Sequence, residues 1–133
     1  MKIVIDTNVI VKAACGKGQA RKLLDAWLEG EFQLLISNTM LLEYEEVLTR
    51  PKFNFPKWAI ASFFYPFISK ANQIHPTRLH ALVIEDPDDN KFIDCAIEGK
   101  ANFIVSEDPH LLKLKQVEGI RIVTTNKFLK LLK

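Results

Sequence analysis

The sequence has few residues of the types that build disulfide-linked or zinc-dependent folds. Only two of its 133 residues are cysteines, Cys15 and Cys95, and they match no zinc-ligand spacing. We expect both to be reduced thiols, as is usual in the cytoplasm. The three histidines, His75, His80 and His110, show no ligand spacing either. The sequence therefore argues against a disulfide framework and against a zinc site.

Long apolar runs and a large excess of positive charge are also missing. No apolar stretch approaches the ~18 residues of a membrane-spanning helix. Asp6, Asn8 and Lys12 interrupt the N-terminal stretch that would otherwise imitate a secretory signal. We therefore expect a cytoplasmic protein with no membrane partner. Because the net charge is only +2, binding of nucleic acid would depend on where the charges lie rather than on their sum.

Strand-like and helix-like patterns alternate along the chain, which has the length of one domain spanning residues 1–133. Short β-branched or aliphatic runs predict strands at residues 2–6, 33–37, 72–75, 102–106 and 120–123. Apolar residues at helical spacing predict helices at residues 8–14, 19–29, 38–49, 56–67, 90–97 and 126–132, whereas residues 77–84 fit neither pattern. This alternation predicts an α/β fold with a central parallel sheet and helices on both faces, which makes a three-layer α/β/α arrangement.

Four separate segments place carboxylates where the parallel strands end. Asp6 ends the first predicted strand, and Glu43 lies about one turn into the helix after the second. Asp89 precedes the helix that leads to strand 102–106, and Asp108 follows that strand. Ligands of open parallel sheets bind at the carboxyl ends of the strands, so we expect these four side chains to share one site.

Clustered carboxylates repel one another, and each raises the pKa of its neighbours. Hard divalent cations relieve this repulsion and prefer oxygen ligands. Since neither histidine nor cysteine joins the cluster, Mg²⁺ or Mn²⁺ fits it better than zinc. Two such ions can clamp a phosphodiester for hydrolysis without a protein nucleophile. The pattern therefore predicts a metal-dependent nuclease.

Each acid also has an ordinary structural explanation. Asp6 could cap a helix, Glu43 could belong to a solvated face with Glu45 and Glu46, and Asp108 could begin a turn with the proline that follows it. Glu43 nevertheless flanks the apolar stripe of its helix, while Glu46 lies further round. All four acids reaching one edge favours a shared site over four separate coincidences.

Five segments, in order, carry a resemblance to a known family: Val4-Ile5-Asp6-Thr7-Asn8-Val9-Ile10, Glu43, Asp86-Pro87-Asp88-Asp89-Asn90-Lys91-Phe92, Ala101-Asn102-Phe103-Ile104-Val105-Ser106-Glu107-Asp108 and Gly119-Ile120-Arg121-Ile122-Val123-Thr124. They resemble the motifs of PIN domains, and the resemblance covers nearly the whole chain. It implies a Rossmann-like three-layer fold and Mg²⁺- or Mn²⁺-dependent cleavage of single-stranded RNA. It also implies a VapC-type toxin of a toxin–antitoxin pair, a homodimer silenced by a cognate antitoxin protein.

The sequence departs from the family pattern at the third acid. In many relatives this acid opens the helix directly, and that position holds Asn90 here. Asp89 is the adjacent carboxylate and our choice for catalysis and metal binding, with Asp88 and Asp94 left as alternatives. The resemblance then assigns both the catalytic and the metal-binding roles to Asp6, Glu43, Asp89 and Asp108.

Further residues are expected to support the site or to bind RNA. Asn8 and Ser106 follow strands and could hold a ligand carboxylate, a water or a phosphate. Positive side chains near the acids are candidates for phosphate contacts, and they are Lys12, Lys17, Arg21 and Lys91, with Arg50, Lys52 and Lys57 on another side. The aromatic helix around residues 58–67 is expected to be core or a dimer or antitoxin surface.

Two other functions remain open from the sequence. One is a phosphotransfer domain with Asp6 as acceptor, although no second acid stands two residues after it. The other is a PIN-like module that binds RNA or protein after losing its metal site. A decayed site should have lost acids, and this sequence retains at least four.

Overall fold

The structure, a computed structural model, describes residues 1–16, 18–83 and 87–133. The strands are β1 (Lys2–Ile5), β2 (Gln33–Ile36), β3 (Asn72–Gln73), β4 (Phe103–Val105), β5 (Gln116–Val117) and β6 (Ile120–Val123). The helices are α1 (Thr7–Ala14), α2 (Gly18–Leu28), α3 (Asn38–Leu48), α4 (Lys57–Ser69), α5 (Asn90–Glu98), α6 (Pro109–Leu112) and α7 (Thr125–Leu132), with 3₁₀ turns at Pro51–Phe53 and Pro87–Asp89. Among these described helices, none combines the length and the apolarity needed to cross a membrane.

One sheet forms the centre of the fold, in the strand order β3-β2-β1-β4-β6-β5. The strands from β3 to β6 in this order pair in parallel, with Ile3 opposite Leu34 on one side of β1 and Val4 opposite Ile104 on the other. The predicted α/β class and the central sheet are therefore confirmed.

The edge strand β5 is the exception to the parallel sheet, and the sequence did not predict it. It pairs antiparallel with β6, with Val117 opposite Ile120. The two connecting residues, Glu118 and Gly119, both have positive φ angles, 49° and 82°. Two consecutive residues of this kind form the tight turn that suits a twisted hairpin.

Helices cover both faces of the sheet. Successive residues of a strand point to opposite faces, and Ile3, Val4 and Ile5 of β1 are all buried. Helix α5 contacts β1, β2 and β4, while α2 packs on α1 and α7. Aromatic contacts join α4 to two other helices, since the ring of Phe67 in α4 lies 5.0 Å from that of Trp27 in α2 and 5.9 Å from that of Tyr44 in α3. The three-layer arrangement follows from this packing.

The carboxyl ends of β1 and β4 are held side by side. The N–H of Asp6 donates to the carbonyl of Val105 at 2.9 Å, which continues the ladder one residue past β1. The buried hydroxyl of Tyr44 donates to the carbonyl of Ile5 and thereby ties α3 to the same strand end. These bonds fix the backbone from which the first predicted site residue projects.

Candidate active site

A single cleft at the carboxyl edge of the sheet brings together the four acids expected there, Asp6, Glu43, Asp89 and Asp108. Its volume is about 560 Å³. Each acid arrives from a different segment, namely the end of β1, the middle of α3, the start of α5 and the end of β4. The strand order explains this convergence, because β1 lies at the centre of the sheet beside both β2 and β4.

Asp6 is the most buried of these acids, with 3% of its surface exposed. It occupies the N-cap position of α1 but makes no side-chain capping hydrogen bond, so helix capping does not account for it. The Ser106 hydroxyl donates to its Oδ2 at 2.7 Å and in turn accepts the Asp108 N–H at 2.9 Å. Ser106 therefore links the two acids that follow β1 and β4.

The electrostatic surroundings of Asp6 disfavour its charged form. Burial is the main cause that raises the pKa of Asp6 from 3.8 to about 6, and the carboxylates of Asp108 and Glu43 raise it further, while the Ser106 hydrogen bond opposes them. The Asp6 carboxyl therefore keeps its proton at a pH at which an exposed aspartate has lost it. A bound cation would reverse this preference.

Asp89 enters the cleft from the segment before α5, and Asp108 enters it from the segment after β4. Asp89 is buried and ends the 3₁₀ turn before α5, again without a capping bond. Asp108 does cap a helix, because its Oδ1 accepts the His110 N–H at 2.8 Å. The ordinary structural explanation therefore applies to Asp108, which nonetheless lines the cleft.

Glu43 is held by two partners. The Thr7 hydroxyl donates to Oε2 and the Lys91 ammonium donates to Oε1. The side chains of Glu43 and Lys91 are 26% and 18% exposed, so this ion pair is largely withdrawn from solvent. Its neighbour Glu46 instead faces solvent and pairs with Arg50, as the helical phase predicts.

The donor set fits a hard divalent cation. The four acids offer only oxygen donors, and their mutual repulsion at Asp6 would be relieved by positive charge. Across the described ranges, no three acidic, histidine or cysteine side chains are arranged to hold one ion directly. Mg²⁺ usually binds proteins through one or two carboxylates and keeps several water ligands, so it does not require three converging side chains.

Four of the other predicted residues line the cleft, namely Asn8, Lys12, Arg50 and Lys52. Arg21 pairs with Asp25 at 3.1 Å and borders a separate groove beside Trp58. Asp88 is exposed and does not line the cleft. Lys17 lies outside the described residues, as does Asp86 of the acidic segment.

Asp94 and Asn90, expected as supporting residues, face another part of the chain. Residues 77–83, here called the strap, run along α5. The Oδ1 of Asp94 accepts the His80 N–H at 2.8 Å and lies 2.8 Å from its Nδ1, while Asn90 Oδ1 accepts the N–H groups of Leu82 and Val83, both at 2.9 Å. Residues four apart share a helix face, so these two side chains project together towards the strap.

The cleft also contains residues that the sequence did not single out. Glu107 lines it and accepts the Thr125 N–H at 2.8 Å. Phe53 also lines the cleft, with the Lys52 ammonium 5.1 Å from its ring centre and the Phe55 ring nearly parallel at 6.0 Å. The contact between Thr7 and Glu43 could have been anticipated from the position of Thr7 directly after Asp6. Nothing in the sequence indicates that Phe53 lines the cleft.

Solved structures with this fold include two of prokaryotic origin. The structure of VapBC2 from Rickettsia felis, bound to a DNA fragment from their promoter, matches with a TM-score of 0.61 and 16% identity, covering 93% of this chain and 98% of that chain. The structure of PAE2754 from Pyrobaculum aerophilum matches with a TM-score of 0.65 and 16% identity, covering 99% and 89%. Similarity at this level of identity establishes the fold alone. No curated protein sequence matches the chain.

The sequence itself matches a family model described as the PIN domain over residues 2–110. This range includes every acid of the cleft, from Asp6 to Asp108, together with the strands that position them. The match extends over well more than half of the chain, and the chain therefore belongs to the PIN domain family.

Proposed function

We propose that the protein is a divalent-metal-dependent endoribonuclease that hydrolyses phosphodiester bonds of single-stranded RNA. One observation supports this most strongly, namely that four acids from four segments line a single open cleft. Buried Asp6 is destabilised there as an anion by burial and by its acidic neighbours. A fold that needed these residues only for structure would gain nothing from that arrangement.

Asp6, Asp89, Asp108 and Glu43 would hold Mg²⁺ or Mn²⁺. When bound, the cation supplies Lewis acidity and positive charge at the phosphate that is cleaved. The chain's own residues keep the acids in position. Ser106 donates to Asp6, Thr7 donates to Glu43, and the Tyr44 hydroxyl donates to the last carbonyl of β1. This preorganisation keeps the acids aimed into the cleft before RNA arrives.

The rim of the cleft offers contacts that suit a single RNA strand. Lys12, Arg50 and Lys52 place positive charge around the acids, and such charges bind phosphates without sequence preference. The Phe53 ring provides an apolar face on which a base can stack, a contact available only when bases are unpaired. Unpaired RNA therefore fits the cleft better than a duplex.

As part of the same proposal, the protein is the toxin of a toxin–antitoxin pair, acts in the cytoplasm as a homodimer and is silenced by a cognate antitoxin. Support comes from the fold shared with a chain of the VapBC2 complex. The outer face of α4 leaves Trp58 and Tyr65 76% and 70% exposed, and exposed aromatic residues are typical of protein interfaces. We assign this face to a protein partner.

The test is cleavage of a labelled single-stranded RNA by the purified, antitoxin-free protein with Mn²⁺, with Mg²⁺ and with EDTA. We expect cleavage with either metal, none with EDTA, and none from Asp6→Asn. Asp25→Asn is the matched control, because Asp25 is an exposed acid of α2 paired with Arg21, and it should cleave like the parent protein. Cleavage that persists in EDTA or in Asp6→Asn would refute the proposal.

A further inference from the structure

Lys91 occupies a position that does not favour a positive charge. It is the second residue of α5, and the N-terminal end of a helix carries partial positive charge that repels cations. Its side chain is nevertheless only 18% exposed and directed to Glu43. The contact with Glu43 explains why a lysine lies there, away from solvent and at the unfavourable end of a helix.

The partner is an acid to which the proposed function assigns a metal-binding role. Both carboxylate oxygens of Glu43 are engaged, Oε2 by Thr7 and Oε1 by the ammonium of Lys91. Among the contacts of the described residues, Asp6 and Asp108 have no ion pair with Lys91. Glu43 is therefore the acid that Lys91 neutralises by direct contact.

We propose that Lys91 is an internal counter-ion of Glu43 that a divalent cation must displace in order to bind this carboxylate. The proposal rests on the proposed metal-dependent function. An ammonium and a metal ion compete for the same oxygen, and their positive charges repel each other at short range. Lys91 thus stabilises the metal-free cleft and lowers its affinity for metal, so that one positive charge replaces another when the metal binds.

Calorimetric titration with Mn²⁺ alone tests this exchange without any measurement of catalysis. Lys91→Met keeps the length of the side chain and removes its charge. We expect it to bind Mn²⁺ roughly five- to tenfold more tightly, the effect of one partly screened charge contact. Lys12→Met is the matched control, because it removes a charge from the cleft rim where the structure gives Lys12 no ion pair among the described residues; its effect should be clearly smaller.

A double-mutant cycle separates direct competition from a general change in charge. In the Glu43→Gln background the ion pair is already lost, so adding Lys91→Met should change the Mn²⁺ affinity little. Circular dichroism of all four proteins checks that each is folded. An affinity that is unchanged or weaker in Lys91→Met, or a gain that persists in full with Glu43→Gln, would overturn the proposal.

The outcomes also distinguish this proposal from the function on which it rests. If the parent protein binds Mn²⁺ and cleaves RNA while Lys91→Met binds no more tightly, only the counter-ion role fails. If the parent protein neither binds Mn²⁺ nor cleaves RNA, the proposed function fails. Binding gained by Lys91→Met would still support the counter-ion role in that case, and its absence would overturn that role too.

Discussion

Two groups of polar side chains in this fold have different surroundings. The cleft acids, Asp6, Glu43, Asp89 and Asp108, line an open cavity. The strap face of α5, formed by Asn90, Asp94 and Glu98, binds backbone N–H groups of residues 77–83. Asp89 and Asn90 are adjacent in sequence, yet each belongs to a different group because successive residues of a helix point about 100° apart.

One acid of each group has a shifted pKa, and the two shifts have opposite directions. The pKa of buried Asp6 rises to about 6, chiefly because burial penalises its charge. The pKa of Glu98 falls below its ordinary 4.5, because the backbone N–H and the hydroxyl of Thr77 both donate to its carboxylate. A carboxylate that accepts donors from a neighbouring segment is stabilised as an anion.

The difference separates the acids that hold the strap from the acids that we propose to bind metal. The carboxylate oxygens of Asp94 and Glu98 accept hydrogen bonds from N–H groups of the strap and so hold the strap against α5. Asp6 instead lies near like charges, and Ser106 is its one side-chain donor among the described residues. This arrangement destabilises the folded protein when no cation is bound. Proteins tolerate such strain mainly where function requires it.

The strongest test of this comparison replaces Asp89 and Asp94 separately by asparagine and measures Mn²⁺-dependent RNA cleavage. Asp89→Asn should reduce cleavage by at least about a hundredfold, since even residues that only support metal ligands often cost 10–100-fold. Asp94→Asn, as well as Asp88→Asn at the exposed neighbouring position, should remain within about threefold of the parent protein. A large loss in Asp94→Asn together with an active Asp89→Asn would reverse the assignment of the two groups.

A second test measures how far Asp6 lowers the free energy of unfolding in the absence of metal. Because the folded-state pKa of about 6 lies above the ordinary 3.8, the folded protein binds the proton more tightly than the unfolded chain does. The free energy of unfolding therefore falls as the pH rises from about 4 to about 6, by at most roughly 3 kcal/mol. In EDTA at pH 7, Asp6→Asn should be more stable than the parent protein by about 2 kcal/mol.

Urea denaturation at pH 5 and pH 7 in EDTA measures this effect and its pH dependence. The difference between Asp6→Asn and the parent protein should be larger at pH 7 than at pH 5, because fewer parent molecules keep the proton there. Asp94→Ala is the opposite control, because it leaves the His80 N–H without its acceptor and should lower stability by about 1–2 kcal/mol. An Asp6→Asn variant no more stable than its parent at either pH would contradict the idea that the cleft strains Asp6.

Much of this comparison was accessible from the sequence, because β-branched runs locate the strands and parallel strands end at one edge. That reasoning predicted the α/β fold and proposed the acids that the structure places in the cleft. The edge strand Gln116–Val117 was missed because two residues show no periodicity. Its hairpin depends on the backbone of Glu118 and Gly119, and neither residue forms a strong turn signal with its neighbour.

The strap and the lysine contact were not predictable for a different reason. The strap shows no helical or strand pattern, because side chains of α5 rather than a regular backbone ladder satisfy several of its N–H groups. The contact between Lys91 and Glu43 joins residues 48 positions apart. Composition gives no information on such a pairing until the packing of α3 against α5 is known.

The smallest expected effect concerns Glu98, at the far end of the strap face. An NMR titration of its side-chain carboxyl should give a pKa below 4.5, and Thr77→Ala should raise that value without fully restoring it, because the backbone N–H of residue 77 remains as a donor. Since the folded-state pKa is lowered, the contribution of Glu98 to stability is present above about pH 4.5 and is lost as the pH falls through the folded value. A Glu98 pKa at or above 4.5 would mean that the strap is not held at this end, and the structural role assigned to its neighbour Asp94 would then rest on His80 alone.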